Sequence, residues 1–387
     1  MRRNGYARLS QIPEEILNVN TISLLRQSQR RWPLDALLSI TQIKFHATDH
    51  RDKIYGLLGM AAESQHSTAL PEALIADYTV DVRHTYLKVA RYLLENSRSL
   101  AILTRTRGTD MRLTRKRREH EMADLPSWLP DWSDFTVYGR EICRSLSWIH
   151  YSDKTRSPYF GFPKHYNASA GLELKLHHTP NNAVLRVDAC RVWKIGRAIS
   201  MNEHDVSEAI FGAALPSTIA RVCEVALPHL HGEDIVAWVS EIIKTTTAEQ
   251  SIFNACNENN WLKDGAAFLQ DVLSASEVEA HALIINDIQR ESKGGVADRY
   301  AALARNFCFD RSFFTTSSGR MGIGPSDTRE NDVIAVIPGG GVPYVLRHRN
   351  EGGWLFVGES YVAGLMNGEA IQLGDRIGLS MEMLDIY

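Results

Sequence analysis

The sequence predicts an α+β chain with a helical N-terminal part, a mixed middle region, and a C-terminal antiparallel β sheet or small barrel. Three observations carry this. Apolar residues recur at helical spacing through the first hundred residues and again from about 204 to 306, and residues 307–387 then switch to short β-rich runs parted by glycine.

The elements follow in order. Pro33 suits a first helical turn, where its missing N–H is not needed, and Leu34, Leu37 and Leu38 then share a face. Asp49 is placed to cap a second helix with Ile54, Leu57, Leu58 and Ala61 as its buried stripe, and Asp52 sits near the positive end of its dipole. A longer helix is predicted after Thr79, with Val82, Tyr86, Val89, Ala90 and Leu93 inward. The apolar run from Leu100 to Leu103 reads as a strand. Residues 105–123 form a basic, nearly non-apolar loop between a helical segment, 1–104, and an α+β region, 124–387. Within that region Ala183, Leu185, Val187, Ala189, Trp193 and Ile195 alternate as a half-buried strand, interrupted by Arg191. A helical insert follows at about 204–306, with a loop expected around 244–260, and the tail 307–387 carries RSFFTT, DVIAVI, VPYVLRH and WLFVGE as strands.

Composition narrows the function. With 387 residues, 44% hydrophobic and 23% charged, the chain is ordinary for a globular protein. A net charge of −3 gives no positive field for a polyanion, so nucleic acid is an unlikely partner. Five cysteines, Cys143, Cys190, Cys223, Cys256 and Cys308, form no CxxC pair, which suits isolated thiols in a reducing compartment. The start MRRNGYARLSQIPEE has no apolar run behind its basic residues, and no stretch approaches the ~20 apolar residues of a membrane span. The expected place is the cytoplasm, or the nucleus.

Chemical motifs are sparse. The glycines of SGRMGIGP and Gly339 to Gly341 are followed by Pro325 and by a strand, so they read as hairpin turns and not as a phosphate loop at a helix start. His46 and His50, His177 and His178, and His229 and His231 form pairs, but no third ligand stands at a completing spacing. No GxSxG, HExxH or Walker sequence occurs, and no catalytic, cofactor or metal residue is assigned. The segment DLPSWLPDWSDF, residues 124–135, offers two readings. Trp128 and Trp132 with Asp124, Asp131 and Asp134 suit a sugar site in a carbohydrate-active or sugar-binding protein. Alternatively Pro126 and Pro130 hold the chain extended, both indoles enter the core, and Asp131 and Ser133 bond the turn's own N–H groups. The second reading is preferred, because buried indoles bring apolar area to a segment with no regular structure.

Four stretches together resemble fungal heterokaryon incompatibility (HET) domain proteins. They are TDHRDKIYGLLGMA, with Arg51, Asp52 and Tyr55; ADYTVDVRHTYLKVARYLL, with Asp77 and Tyr78; DLPSWLPDWS, with Pro126, Trp128, Pro130, Asp131 and Trp132; and a set near the C-terminus. That set comprises RSFFTTSSGRMGIGP, with Gly324 and Pro325; NDVIAVIPGGGVPYVLR, with Asp332, Pro343 and Arg347; and FVGESYVAGLMNGEA, with Gly358, Glu359, Tyr361, Gly364, Met366, Gly368 and Glu369. The departures are His50 for a usual proline, Asn331 for a usual glycine, and Ala363 for a frequent histidine. The family's N-terminal HET core is not matched, so the chain is expected to be a truncated or degenerate relative. The resemblance implies self/non-self recognition or cell-death signalling through protein contacts, with no effector residue to carry over and no small-molecule substrate or cofactor. From the residues, Arg347 is expected to pair with Glu359 or Glu369 across the sheet.

Overall fold

The computed structural model describes residues 32–41, 47–64, 70–106, 125–133, 166–201, 208–230, 234–250, 258–275, 279–372 and 379–387. Helix α1 (Leu34–Thr41) begins after Pro33 and buries Leu34, Leu37 and Leu38. Its first free N–H, on Leu34, donates to the Glu63 carboxylate at 3.0 Å, a cap from outside the helix. Helix α2 (Asp52–Tyr55) is a single turn followed by 3₁₀ turns at Leu58–Met60 and Ala62–Ser64, shorter than the predicted helix. Gly56 and Gly59 lower helix propensity there, and Ala61 is drawn into a bridge with Trp32. Ile54, Leu58 and Ala61 are nevertheless buried as expected, whereas Leu57 is only half-buried. Asp49 is not the N-cap residue of α2; its carboxylate receives the N–H of Arg51, which holds that position, at 2.9 Å.

Helix α3 (Val82–Ser97) carries the predicted stripe, with Val82, Tyr86, Val89, Ala90 and Leu93 all buried. Asp81 caps it by accepting from His84 N at 2.6 Å, and Arg98 ends it in the left-handed region at φ 50°. The run from Leu100 is not a strand. It is a 3₁₀ helix (Ala101–Arg105) with Leu100, Ile102 and Leu103 buried, because a short apolar run satisfies either geometry once it is fully enclosed.

Strand β1 (Leu176–His177) pairs with the 16-residue β2 (Leu185–Ser200). Burial alternates from Leu185 to Ala189 as predicted, then Cys190 and Val192 on the opposite face are also buried. A register shift between Arg191 and Trp193 rotates the strand, so Trp193 and Ile195 join the cluster of Cys190 and Val192 and do not share the inner face of Leu185, Val187 and Ala189 as expected. The helical insert comprises α4 (Glu208–Ala226), α5 (Ile235–Thr246), α6 (Glu258–Ser274), α7 (Glu279–Glu291) and α8 (Ala297–Cys308). The loop expected at 244–260 is narrower, since α5 continues to Thr246 on a buried stripe of Trp238, Ile242 and Ile243. The Thr246 and Thr247 hydroxyls donate back to the carbonyls of Ile242 and Ile243 at 2.7 and 2.6 Å.

The tail forms β3 (Arg311–Thr316), β4 (Met321–Pro325), β5 (Val333–Val336), β6 (Tyr344–His348), β7 (Trp354–Glu359), β8 (Tyr361–Val362) and β9 (Met381–Ile386). The sheet order is β5-β6-β7-β9-β2-β3-β4-β8, and β5 also pairs with β2, which bends the sheet into a partial ring. Every ladder is antiparallel except β7 with β9, which meet in parallel at Trp354 and Ile386 alone. Both faces of the central strands are buried. In β5, Val333 and Ala335 join the main core with the helices, whereas Ile334 and Val336 join a second cluster with Val345, Val357 and Phe314.

The glycines divide by purpose. Gly319 and Gly339 occupy turns at φ +81° and +80°, as expected, but Gly322 and Gly324 lie inside β4. A Cβ on Gly322 would stand 2.4 Å from the Phe314 ring and 2.7 Å from the Tyr361 carbonyl oxygen. Gly322→Ala is therefore expected to cost about 1–3 kcal/mol in urea unfolding by overpacking. Gly59→Ala, with nothing within 4 Å, is expected to leave the midpoint unchanged or raise it.

Candidate functional site

The residues singled out by motif fall into three connected clusters. The first surrounds the tryptophans. Trp128 and Trp132 are buried, and each indole has a partner. Trp128 Nε1 donates to the Ala183 carbonyl at 2.8 Å, and the Arg91 guanidinium lies 5.7 Å from its ring centre. Arg91 is itself held by the carbonyls of Asn182 and Val184. Trp132 meets Tyr86 edge to face at 5.0 Å, and Tyr86 Oη donates to the His50 carbonyl at 2.9 Å. Asp131 accepts from Ser133 N at 3.0 Å and from the Ser133 hydroxyl, the turn bonding expected from sequence. Burial lowers Lys53 to about 8, against the opposing attraction of the Asp131 carboxylate. Pro126 and Pro130 flank a turn whose Leu129 N–H donates to the Pro126 carbonyl at 3.0 Å. With both ring systems enclosed, neither offers a face on which a sugar can stack; Asp124 and Asp134 lie outside the described residues.

Ser127, between these prolines and indoles, has a role the sequence did not signal. Its N–H donates to the Tyr387 carbonyl at 2.9 Å, its hydroxyl donates to the same oxygen, and it accepts from Phe356 N at 2.7 Å. It thus occupies the place where β7 and β9 separate, supplying ladder bonds that the two strands do not make with each other. Thr106 completes the link, its hydroxyl donating to the Trp128 carbonyl at 3.1 Å.

The second cluster is at the surface and joins two motifs. Arg51 forms a fork with Asp49, at 2.9 and 2.8 Å, and reaches across to the carbonyls of Tyr78 and Val80 at 2.8 and 2.7 Å. Tyr78 Oη donates to Asp52 at 2.5 Å, which raises the phenol's pKa. The rings of Tyr55 and Tyr78 meet edge to face at 5.4 Å, and Tyr55 Oη accepts from Asp77 N at 3.2 Å. The Thr79 hydroxyl and N–H hold the Asp77 carboxyl below its ordinary range, and the Arg51 guanidinium does the same for Asp49.

The third cluster lies in the sheet. Asp332 immediately precedes β5, and the β5–β6 register of Val333 opposite Leu346 brings it to Arg347. Arg347 grips Asp332 with two bonds of 2.8 Å and donates to the Asp327 carbonyl at 2.6 Å. The expected pairing of Arg347 with Glu359 or Glu369 is therefore wrong: Glu359 is taken by Arg311 at 3.0 Å, both buried, and Glu369 accepts from Asn367 N at 2.6 Å. Pro343 stands just before β6, and its carbonyl accepts from Ser360 N at 2.8 Å. Tyr361 packs against Tyr166, and Met366 is buried with its carbonyl accepting from Asn167 N at 2.8 Å. Gly358 abuts Pro325, Gly368 abuts Ala170, Gly364 has φ +78°, and a Cβ on Gly324 would stand 2.7 Å from Thr328 Oγ1.

Other candidates do not join these clusters. His177 Nε2 contacts Asp188 at 2.8 Å, and His46 and His231 lie outside the described residues, as does the basic run apart from Arg105 and Thr106. Among the described residues no group of three His, Cys, Asp or Glu is placed to hold a metal ion, and no helix is long and apolar enough to cross a membrane. A groove of 460 Å³ opens between the end of α3 and β1, lined by Leu94, Glu95, Arg98 and Glu173 to Leu176. None of the candidate residues named above lines it.

A partial ring of strands fed by a helical insert defines a barrel-type domain, and residues 244–378 match the Het-6 beta-barrel domain. The match leaves out β2 and β9, the two strands through which the ring closes. The chain is 24% identical over 363 residues to heterokaryon incompatibility protein 6, OR allele, of Neurospora crassa, covering 85% of this chain and 50% of that protein. The chain is thus related to heterokaryon incompatibility proteins and spans about half the length of the curated relative it matches. No solved structure matches it.

Arg347 is half-buried over the buried Asp332 carboxylate, and removing its fork is expected to cost about 1–3 kcal/mol by leaving that carboxylate under-bonded. Arg347→Gln should show this loss in urea unfolding, and Arg347→Lys should recover only part of it, because an ammonium cannot make the two-bond fork.

Proposed function

We propose that this chain is a non-catalytic, cytoplasmic relative of heterokaryon incompatibility proteins that acts in self/non-self recognition or cell-death signalling through protein contacts. One observation carries the reading: the motif side chains are engaged in fastening the fold. Trp128, Trp132 and Ser127 bind the helical layer to the sheet, Arg51 and Tyr78 clasp two N-terminal segments, and Arg347 with Asp332 fixes a sheet corner. Residues so occupied supply rigidity and a presented surface. Similarity to a Neurospora crassa heterokaryon incompatibility protein supports incompatibility as the process.

In this reading the chain is a presenting scaffold and holds no killing activity of its own. Expression of residues 1–387 from an inducible promoter in a filamentous fungal host is expected to leave growth and viability, scored by vital-dye exclusion, at the level of an empty vector. Killing by the chain alone would contradict the proposal.

A further inference from the structure

Of the large apolar side chains exposed among the described residues, Leu70, Ile75 and Tyr78 fall within one short strap. Single exposed apolar residues are ordinary on any surface, whereas neighbouring ones with a polar rim mark contact sites. This strap is held from beneath. Leu74 is buried, its N–H donates to the Pro71 carbonyl at 2.8 Å, and Arg51 fixes the carbonyls of Tyr78 and Val80. With Leu74 turned inward as the anchor, Ile75 is directed outward and half-exposed, so its display follows from the built turn.

The rim is acidic. Arg51 and Asp49 offset each other in their fork. Asp52, Glu72, Asp77 and Asp81 remain on the strap or on the segments that clasp it, against Lys88 near Asp77 and Arg83 on the first turn of α3. An acidic rim repels a phosphate backbone or an anionic lipid surface and attracts Lys and Arg. The combination of outward aliphatic and aromatic groups with excess carboxylate matches a polypeptide carrying the opposite pattern.

We infer that the 70–81 strap is a docking surface for a cationic segment of a partner protein, anchored by an aliphatic residue against Ile75, Leu70 and Tyr78. This rests on the protein-contact reading above and names the chemistry of the contact. Glu72 and Asp52 meet the partner's Lys or Arg side chains, which steer the encounter, and the apolar anchor supplies the slow step of release.

The test is calorimetric titration of the full chain with a short synthetic peptide in which Leu alternates with Arg. Two control peptides replace every Arg by Gln, or every Leu by Ser. Binding is expected for the first peptide alone, weakening as salt is raised. Ile75→Ser and Glu72→Lys, both at exposed positions, are each expected to weaken it at least about tenfold, roughly 1.4 kcal/mol. Met383→Ser, at an exposed apolar residue on β9, should leave it unchanged. Circular dichroism confirms that each variant is folded. No binding, binding indifferent to Ile75→Ser and Glu72→Lys, or equal binding of the Ser-substituted peptide would overturn the inference. Those results leave the scaffold reading intact, since that reading fails on toxicity of the expressed chain, which the titration does not measure.

Discussion

The insertion of Ser127 and Trp128 between sheet and helices is the constraint on which the rest of the structure depends. Strands β7 and β9 meet only at Trp354 and Ile386, so the ring has a seam where backbone groups lack strand partners. Ser127 bonds Phe356 on one strand and Tyr387 just past the other. The adjoining Trp128 then carries that closure outward, through its indole to Ala183 and through its carbonyl to Thr106. A serine alone would satisfy the backbone groups without fixing the helical layer. A buried indole adds a large apolar area and a directional donor at one position.

Two consequences follow for energetics. The central strands are buried on both faces, so they read as nearly continuous apolar runs and their charged side chains need partners. Arg347 with Asp332 and Arg311 with Glu359 satisfy this by bonds across neighbouring elements. Such pairs add little net stability over apolar residues of similar size, but they specify register, because a slip would strand a buried charge. Surface contacts such as Arg51 with Asp49 are worth less in water, and their role is to set the path of the 70–81 strap.

Much of this was legible in sequence wherever a single element decides the outcome. The stripe of α3 is a matter of helical period, and the fate of Trp128 and Trp132 followed from the prolines beside them and the missing regular structure. What was not legible depends on register or on distant partners. Arg347 was expected to reach Glu359 or Glu369, yet the β6–β7 register sets Glu359 opposite Tyr344, three residues away, where Arg311 claims it. In the 3₁₀ helix at Ala101–Arg105 the run from Leu100 to Leu103 is buried at every position, which erases the period that separates helix from strand. Glu63 capping α1 and Ser127 bridging β7 to Tyr387 span 29 and 260 residues, and no local pattern announces either.

The central claim is that Trp128 couples the N-terminal helical layer to the closure of the ring. Hydrogen exchange read by mass spectrometry on Trp128→Ala tests it most directly. Truncating a buried indole costs about 3–5 kcal/mol, and the coupling predicts that amides of α3 and β9 exchange at least a hundredfold faster while those of α8 keep their protection. Unchanged exchange in α3 and β9, or uniform acceleration through α8, would contradict it.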